Sequence, residues 1–137
     1  MIIKTIHKFY VILRIILNKQ FFYEISKSQN KNVENSFLDK LSDFVENKRF
    51  VEIGFHHNEF NCINLIKKNF EGLMIDGGRF INILMMKIII LILNKKIEVK
   101  KKYLKLDNLI NEINYDKIGV LSIDVDGNDY WFLKKIV

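Results

Sequence analysis

Short apolar runs alternate with longer, helix-periodic ones along most of this chain. Residues 49–53, 72–75, 97–99 (with an extension toward 103) and 118–123 are brief, rich in Val, Ile, Leu and Phe, and bounded by polar or glycine residues, which predicts four strands. Between them lie segments with apolar positions three and four apart. Phe37, Leu38, Leu41, Phe44 and Val45 share one face of a helix through 47 that Ser36 would cap. A second helix is predicted over 58–69, with Phe60, Ile63 and Ile66 inward and Leu65 at the edge of that face. Residues 80–93 are apolar except for Asn82 and Lys87, and their length predicts a buried helix despite the β-branched run 88–90. Asp107 would cap a short helix through 113, and residues 129–137 read as a last helix.

Strand and helix therefore alternate, the signature of an α/β fold: a Rossmann-like, doubly wound parallel sheet covered by helices on both faces. Right-handed crossovers give the strand order 3-2-1-4. The first and fourth strands are then neighbours whose connections leave in opposite directions, and in open α/β sheets a ligand binds beyond the carboxyl ends of such strands.

Upstream, residues 1–25 form a basic, apolar leader, and 26–36 are polar and rich in turn formers, a linker before the domain at 37–137. The leader carries Lys4, Lys8, Arg14 and Lys19 and no acid before Glu24. Arg14 interrupts its apolar run well short of the roughly 20 residues of a spanning helix, and no small-residue cleavage site follows. Two readings stay open: a helix packed on the domain, or peripheral contact of residues 1–23 with a membrane surface. In either case the protein is expected in the cytoplasm, in the second against the inner membrane face.

Composition narrows the rest. At 137 residues the chain has room for one core. Its net charge of +6 comes overwhelmingly from Lys, without an Arg cluster or basic stripe with interleaved aromatics, so no nucleic-acid partner is expected. Cys62 is the sole cysteine, which excludes an internal disulfide and a cysteine-built zinc site and fits a reducing compartment.

Candidate chemistry collects where strands end in acids and glycines. Glu52 and Gly54 close the first strand; the glycine permits a sharp turn and close approach of a ligand, and the carboxylate accepts from an ammonium or hydroxyl. Asp76, beside Gly77, ends the second strand roughly twenty residues on, where an acid holds ribose hydroxyls. Asp124 and Asp126 follow the fourth. His56, His57 and Glu59 lack a third well-placed metal ligand and read as loop residues; Asp126, Asn128 and Asp129 lack the later glutamate of a calcium loop. No metal is expected. Asp129 reads as part of a turn that caps the last helix, Met85 and Met86 as core filler, and Lys100–Lys102 as a solvated strand end.

Four blocks in this order, Val51-Glu52-Ile53-Gly54, residues 72–77, residues 107–112 and residues 121–131, resemble class I S-adenosylmethionine-dependent methyltransferases, and more narrowly the FkbM-like methyltransferases of bacterial surface-polysaccharide clusters. The resemblance spans about residues 50–136. It implies Glu52 and Gly54 around the methionine part of S-adenosylmethionine, Asp76 with Gly77 at the ribose, and Asp124 near the transferred methyl, with Asp124 or Asp126 as base or as oxygen ligand to a cation. It also implies O-methylation of a sugar or surface-glycan precursor.

Two departures stand out. Phe55-His56-His57-Asn58 replaces the small residue and acid usual after the first turn, and the family's later strands are missing after Val137, as in a C-terminally truncated copy. The alternative is therefore a catalytically inactive remnant acting as a binding or interaction module, whose strand at 118–123 would be an open edge available for self-association. A nucleotide-dependent oxidoreductase is disfavoured because no Gly-x-Gly-x-x-Gly follows the first strand.

Overall fold

The computed structural model describes residues 2–25 and 34–137; most of the linker expected at 26–36 lies outside them. The chain forms α1 (Ile2–Leu17), α2 (Gln20–Ile25), α3 (Glu34–Phe44), β1 (Arg49–Ile53), α4 (Ile63–Lys67), β2 (Glu71–Asp76), α5 (Phe80–Leu93), β3 (Ile97–Lys101), α6 (Leu109–Ile113), β4 (Val120–Ile123) and α7 (Asp129–Ile136). The four strands make one parallel sheet in the order β3-β2-β1-β4, as the alternation of elements predicted. Phe50 pairs with Gly72 on one side and with Val120 on the other, so β1 is central and β4 is an edge among the described strands.

Side chains of successive strand residues leave on opposite faces, and this divides the core in two. Phe50, Met74, Val99 and Val120 meet α4, α5 and the buried Ile15 and Phe22 of the leader on one face. Val51, Ile53, Leu73 and Ile75 meet Leu109, Ile113 and Phe132 of α6 and α7 on the other. Both faces of β1 and β2 are covered, which is why these strands read as unbroken apolar runs rather than alternating ones. Met86 fills the first core, as expected, and Met85 is buried beside it without joining that cluster.

Several boundaries differ from the sequence pattern. The helix expected over 58–69 is only Ile63–Lys67; residues 54–62 instead form turns closed by reciprocal backbone hydrogen bonds between His56 and Glu59. Leu65 is fully buried rather than at the edge of that helix. Asn69 ends the segment in the left-handed region, with φ +63°. Ser36 lies inside α3, which starts at Glu34, so it is not the cap. Asp107 does not cap α6 either. Asn108 flanks that helix, and its side chain closes the preceding turn, accepting from the Lys105 amide at 2.9 Å and donating to the Tyr103 carbonyl at 3.2 Å. β3 stops at Lys101, and β4 begins at Val120, after Gly119 has passed close under the Asn47 carbonyl.

The leader packs on the domain as two helices. Val11, Ile12 and Ile15 of α1 and Phe22 of α2 face the core. The opposite arc of α1 is also apolar: Ile6, Phe9, Leu13, Ile16 and Leu17 are exposed, with Phe9 at 72%. Among the described residues no helix is long and apolar enough to cross a membrane.

Candidate cofactor crevice

All four strands point their carboxyl ends the same way, and at those ends lies a hollow of about 300 Å³. Gly54, Asp76, Gly77, Gly78, Tyr103 and Asn128 contribute to its wall, drawn from the ends of β1, β2 and β3 and from the loop after β4. Three of the expected residues, Gly54, Asp76 and Gly77, are thus brought together at the point where the sheet order reverses.

Gly54 adopts φ +81°, a conformation that favours glycine. Its amide donates to the Ile75 carbonyl at 2.9 Å, while the Asp124 amide donates to the Ile53 carbonyl at 2.8 Å. The backbones leaving β1 and β4 are therefore pressed together here, with no space left for a side chain at position 54.

Asp76 is the last residue of β2. Its Oδ1 accepts from the Gly78 amide at 2.5 Å, and its Oδ2 lies 3.4 Å from the Phe55 amide nitrogen, a long hydrogen bond. The carboxylate is held at the strand end by two backbone donors, and each oxygen retains lone-pair capacity for a ligand hydroxyl. Gly77 lies against Tyr103, which rises from the segment after β3.

Glu52 is placed differently from its neighbours. It is completely buried on the α4 face of β1, where Oε1 accepts from the Asn61 amide at 2.6 Å and Oε2 from the Cys62 amide at 2.9 Å. Burial raises its carboxyl to about 7 against these two hydrogen bonds, and the nearby Asp124 charge adds slightly to the rise. The side chain closes the turn into α4, and it does not line the hollow. Cys62 in turn is buried with its thiol pushed upward, by desolvation first and by the Glu52 charge second, which leaves it a poor nucleophile.

Asp124 and Asp126 do not line the hollow either. Asp124 follows β4, half-buried, with its charge acting on Glu52, and Asp126 is exposed with φ +47° in the tight turn before Gly127. Asp129 ties that turn together, its carboxylate accepting from the Val125 amide at 2.9 Å and the Gly127 amide at 3.3 Å, which holds its carboxyl below the usual range. It closes the loop in front of α7 and leaves the helix's own first turn without a side-chain cap.

Beyond Asp76 the chain opens into a second, larger hollow of about 780 Å³, bounded by α1, the 55–58 loop and the start of α5. Asn82, one of the two polar residues in the apolar run of α5, anchors that loop. It is buried, its Oδ1 accepting from the His57 amide at 2.6 Å and its Nδ2 donating to the Phe55 carbonyl at 2.8 Å. Sequence reasoning missed this role, although a lone Asn amid thirteen other largely apolar positions of a 14-residue helix was a visible signal. The His56 and His57 rings lie 4.3 Å apart between centroids, tilted by 41°, and His56 Nδ1 also contacts Asn58 Oδ1. Among the described residues no three His, Cys, Asp or Glu side chains are grouped to hold a metal ion. The lysines at the end of β3 are less free than a solvated run: Lys100 donates to the Glu112 carbonyl at 3.0 Å and Lys102 pairs with the Glu112 carboxylate at 2.9 Å.

No protein-family model, no curated protein and no solved structure matches this chain. The Rossmann-like α/β architecture is accordingly a property of its own strand order and connections.

Proposed function

We propose that the chain binds a nucleoside-bearing cofactor at the carboxyl ends of its strands, S-adenosylmethionine on the strength of the sequence resemblance, and that the associated activity is methylation of a hydroxyl on a sugar or surface-glycan precursor. The observation that carries the reading is the position of Asp76, a carboxylate fixed at the end of β2 in the wall of a hollow at the switch point. A paired hydroxyl needs a paired acceptor, and an acid at the end of the second strand supplies it in Rossmann-like folds. Methyl transfer is an in-line displacement that depends chiefly on alignment of donor and acceptor. A base role for Asp124 or Asp126 rests on the resemblance alone, because both stand outside the hollow.

That placement, together with the complete engagement of Glu52 by backbone amides, favours a second reading: a cofactor-binding or interaction module without turnover. In either case we place the protein in the cytoplasm at the inner membrane face. The outward apolar arc of α1 and the absence of any acid between residues 2 and 23 suit an anionic bilayer surface.

Titration of the full chain with S-adenosylhomocysteine tests the cofactor assignment. Saturable one-to-one binding, weakened at least about tenfold by Asp76→Ala, supports it. A folded chain that does not bind overturns it. Binding without methyl transfer to any hydroxyl acceptor selects the module reading.

A further inference from the structure

The larger hollow carries an inference that does not depend on the cofactor. Its walls are mostly apolar, with Val11, Phe21, Phe55, Ile81 and Met85 among the lining residues, and its volume of about 780 Å³ falls within the range of small-molecule sites. Onto this surface converge the cationic side chains of Lys4 and Lys8, from the inward face of α1, and of Arg79, at the start of α5, together with His7, His56 and His57. The single carboxylate in the wall is Asp76, and both of its oxygens already accept backbone amides. Among the described residues no acid is ion-paired with Lys4, Lys8 or Arg79. The imidazole of His57 senses this field. Burial lowers its pKa, the hydrogen bond to Asn82 opposes that, and the charges of His56 and Lys8 depress it further.

An apolar chamber whose wall sets three permanent cations against one carboxylate has a specific complement. We propose that the hollow between α1, the 55–58 loop and α5 binds a phosphate ester of a long-chain alcohol, its hydrocarbon chain against Phe21, Phe55 and Met85 and its phosphate among Lys4, Lys8 and Arg79. Phosphate suits the site better than a singly charged head because three permanent cations face it and a phosphate monoester carries up to two charges. The chain supplies the apolar burial, and the head fixes its orientation.

Calorimetric titration of the full chain with decyl phosphate, below its micelle concentration, tests this. The expected result is saturable one-to-one binding, about tenfold tighter than for the uncharged decyl glucoside and about a hundredfold tighter than for inorganic phosphate. Lys4→Glu with Lys8→Glu should weaken decyl phosphate about tenfold or more and leave decyl glucoside nearly unchanged. Arg79→Gln, at the opposite wall, should weaken it in the same direction and serves if the leader variant fails to fold. Phe9→Ser, on the outer arc of α1, should change nothing. Equal affinity for the charged and uncharged chains overturns the proposal, as does tight binding of inorganic phosphate alone. Loss of binding in Phe9→Ser but not in the cationic-wall variants also overturns it, because the ligand would then lie on the outside of α1. The two hollows share Asp76 and Gly78, but Lys4, Lys8 and Arg79 line only the larger one, so S-adenosylhomocysteine titrated against the same variants lets the two assignments fail independently.

Discussion

The carbonyl oxygen of Asp124 stands where a side chain on residue 54 would begin: a Cβ added to Gly54 would lie 1.8 Å from it. The glycine is therefore required by the meeting of β1 and β4, whether or not a ligand ever approaches. Gly54→Ala must both adopt φ +81° and force the two strand ends apart. We expect it to cost about 3 kcal/mol or more in urea unfolding, enough to unfold a marginal domain. A loss below about 1 kcal/mol would show that the strand ends part easily.

Glu52 makes stability depend on pH in an unusual direction. Its folded-state pKa is raised from 4.5 to about 7. Between those values the native carboxyl keeps a proton that the unfolded chain has released. The stabilising contribution is complete below about pH 4.5, declines as pH rises toward 7, and is gone above it. The span corresponds to about 3 kcal/mol. Glu52→Gln should remove this component, so the stability difference between the two proteins should change by about that amount between pH 4.5 and 8. Parallel stability curves across that interval would show that Glu52 titrates normally.

Asn82 satisfies two backbone groups at once, the His57 amide and the Phe55 carbonyl. Asn82→Ala strands both, and a loss of about 2 to 4 kcal/mol is expected. Asn82→Asp keeps the acceptor but presents a second acceptor to the Phe55 carbonyl, so it should be no better than the alanine. If Asn82→Ala unfolds at the wild-type denaturant concentration, the 55–58 loop is held by other contacts.

Arg49, Glu71 and Lys96 form a chain of ion pairs across the amino ends of β1 and β2, at 3.2 and 3.4 Å. Glu71 is held below the usual carboxylate range by the hydrogen bonds from Arg49 and Lys96. The group is solvent-exposed, so Glu71→Gln should change stability only slightly, with the small loss vanishing in high salt. A larger, salt-insensitive loss would identify a structural role for the Glu71 stem.

How much of this was readable in advance depends on where the deciding contacts lie. The strands and α5 were legible because their signal is local: apolar runs of the right length, bounded by Gly, Asn or Asp. The order β3-β2-β1-β4 followed from handedness alone. The shortened α4 was not legible. Residues 58–69 have helical spacing, but the Glu52 carboxylate captures the Asn61 and Cys62 amides from the neighbouring strand and fixes a turn there instead. Ser36 and Asp107 have the right chemistry for caps, yet the helices start elsewhere, at Glu34 and Leu109. At the crevice, glycines and acids at strand ends marked the location. Which acid faces the hollow depended on side-chain direction around the turns, and only Asp76 among the acids does so.

The sheet's connectivity also dictates an order of events in time. β1 meets β2 after the single helix α4, and β2 meets β3 after α5, whereas β4 reaches β1 only across everything between them. Closing that long loop is entropically costly until the inner strands already offer a surface, so β4 and α7 should dock last and detach first. In native-state hydrogen exchange the amides of β1 and β2 should be the slowest, and those of β4 should open at lower free energy. The crevice is walled partly by the loop after β4, so it would be the last feature of the protein to form and the first to be lost.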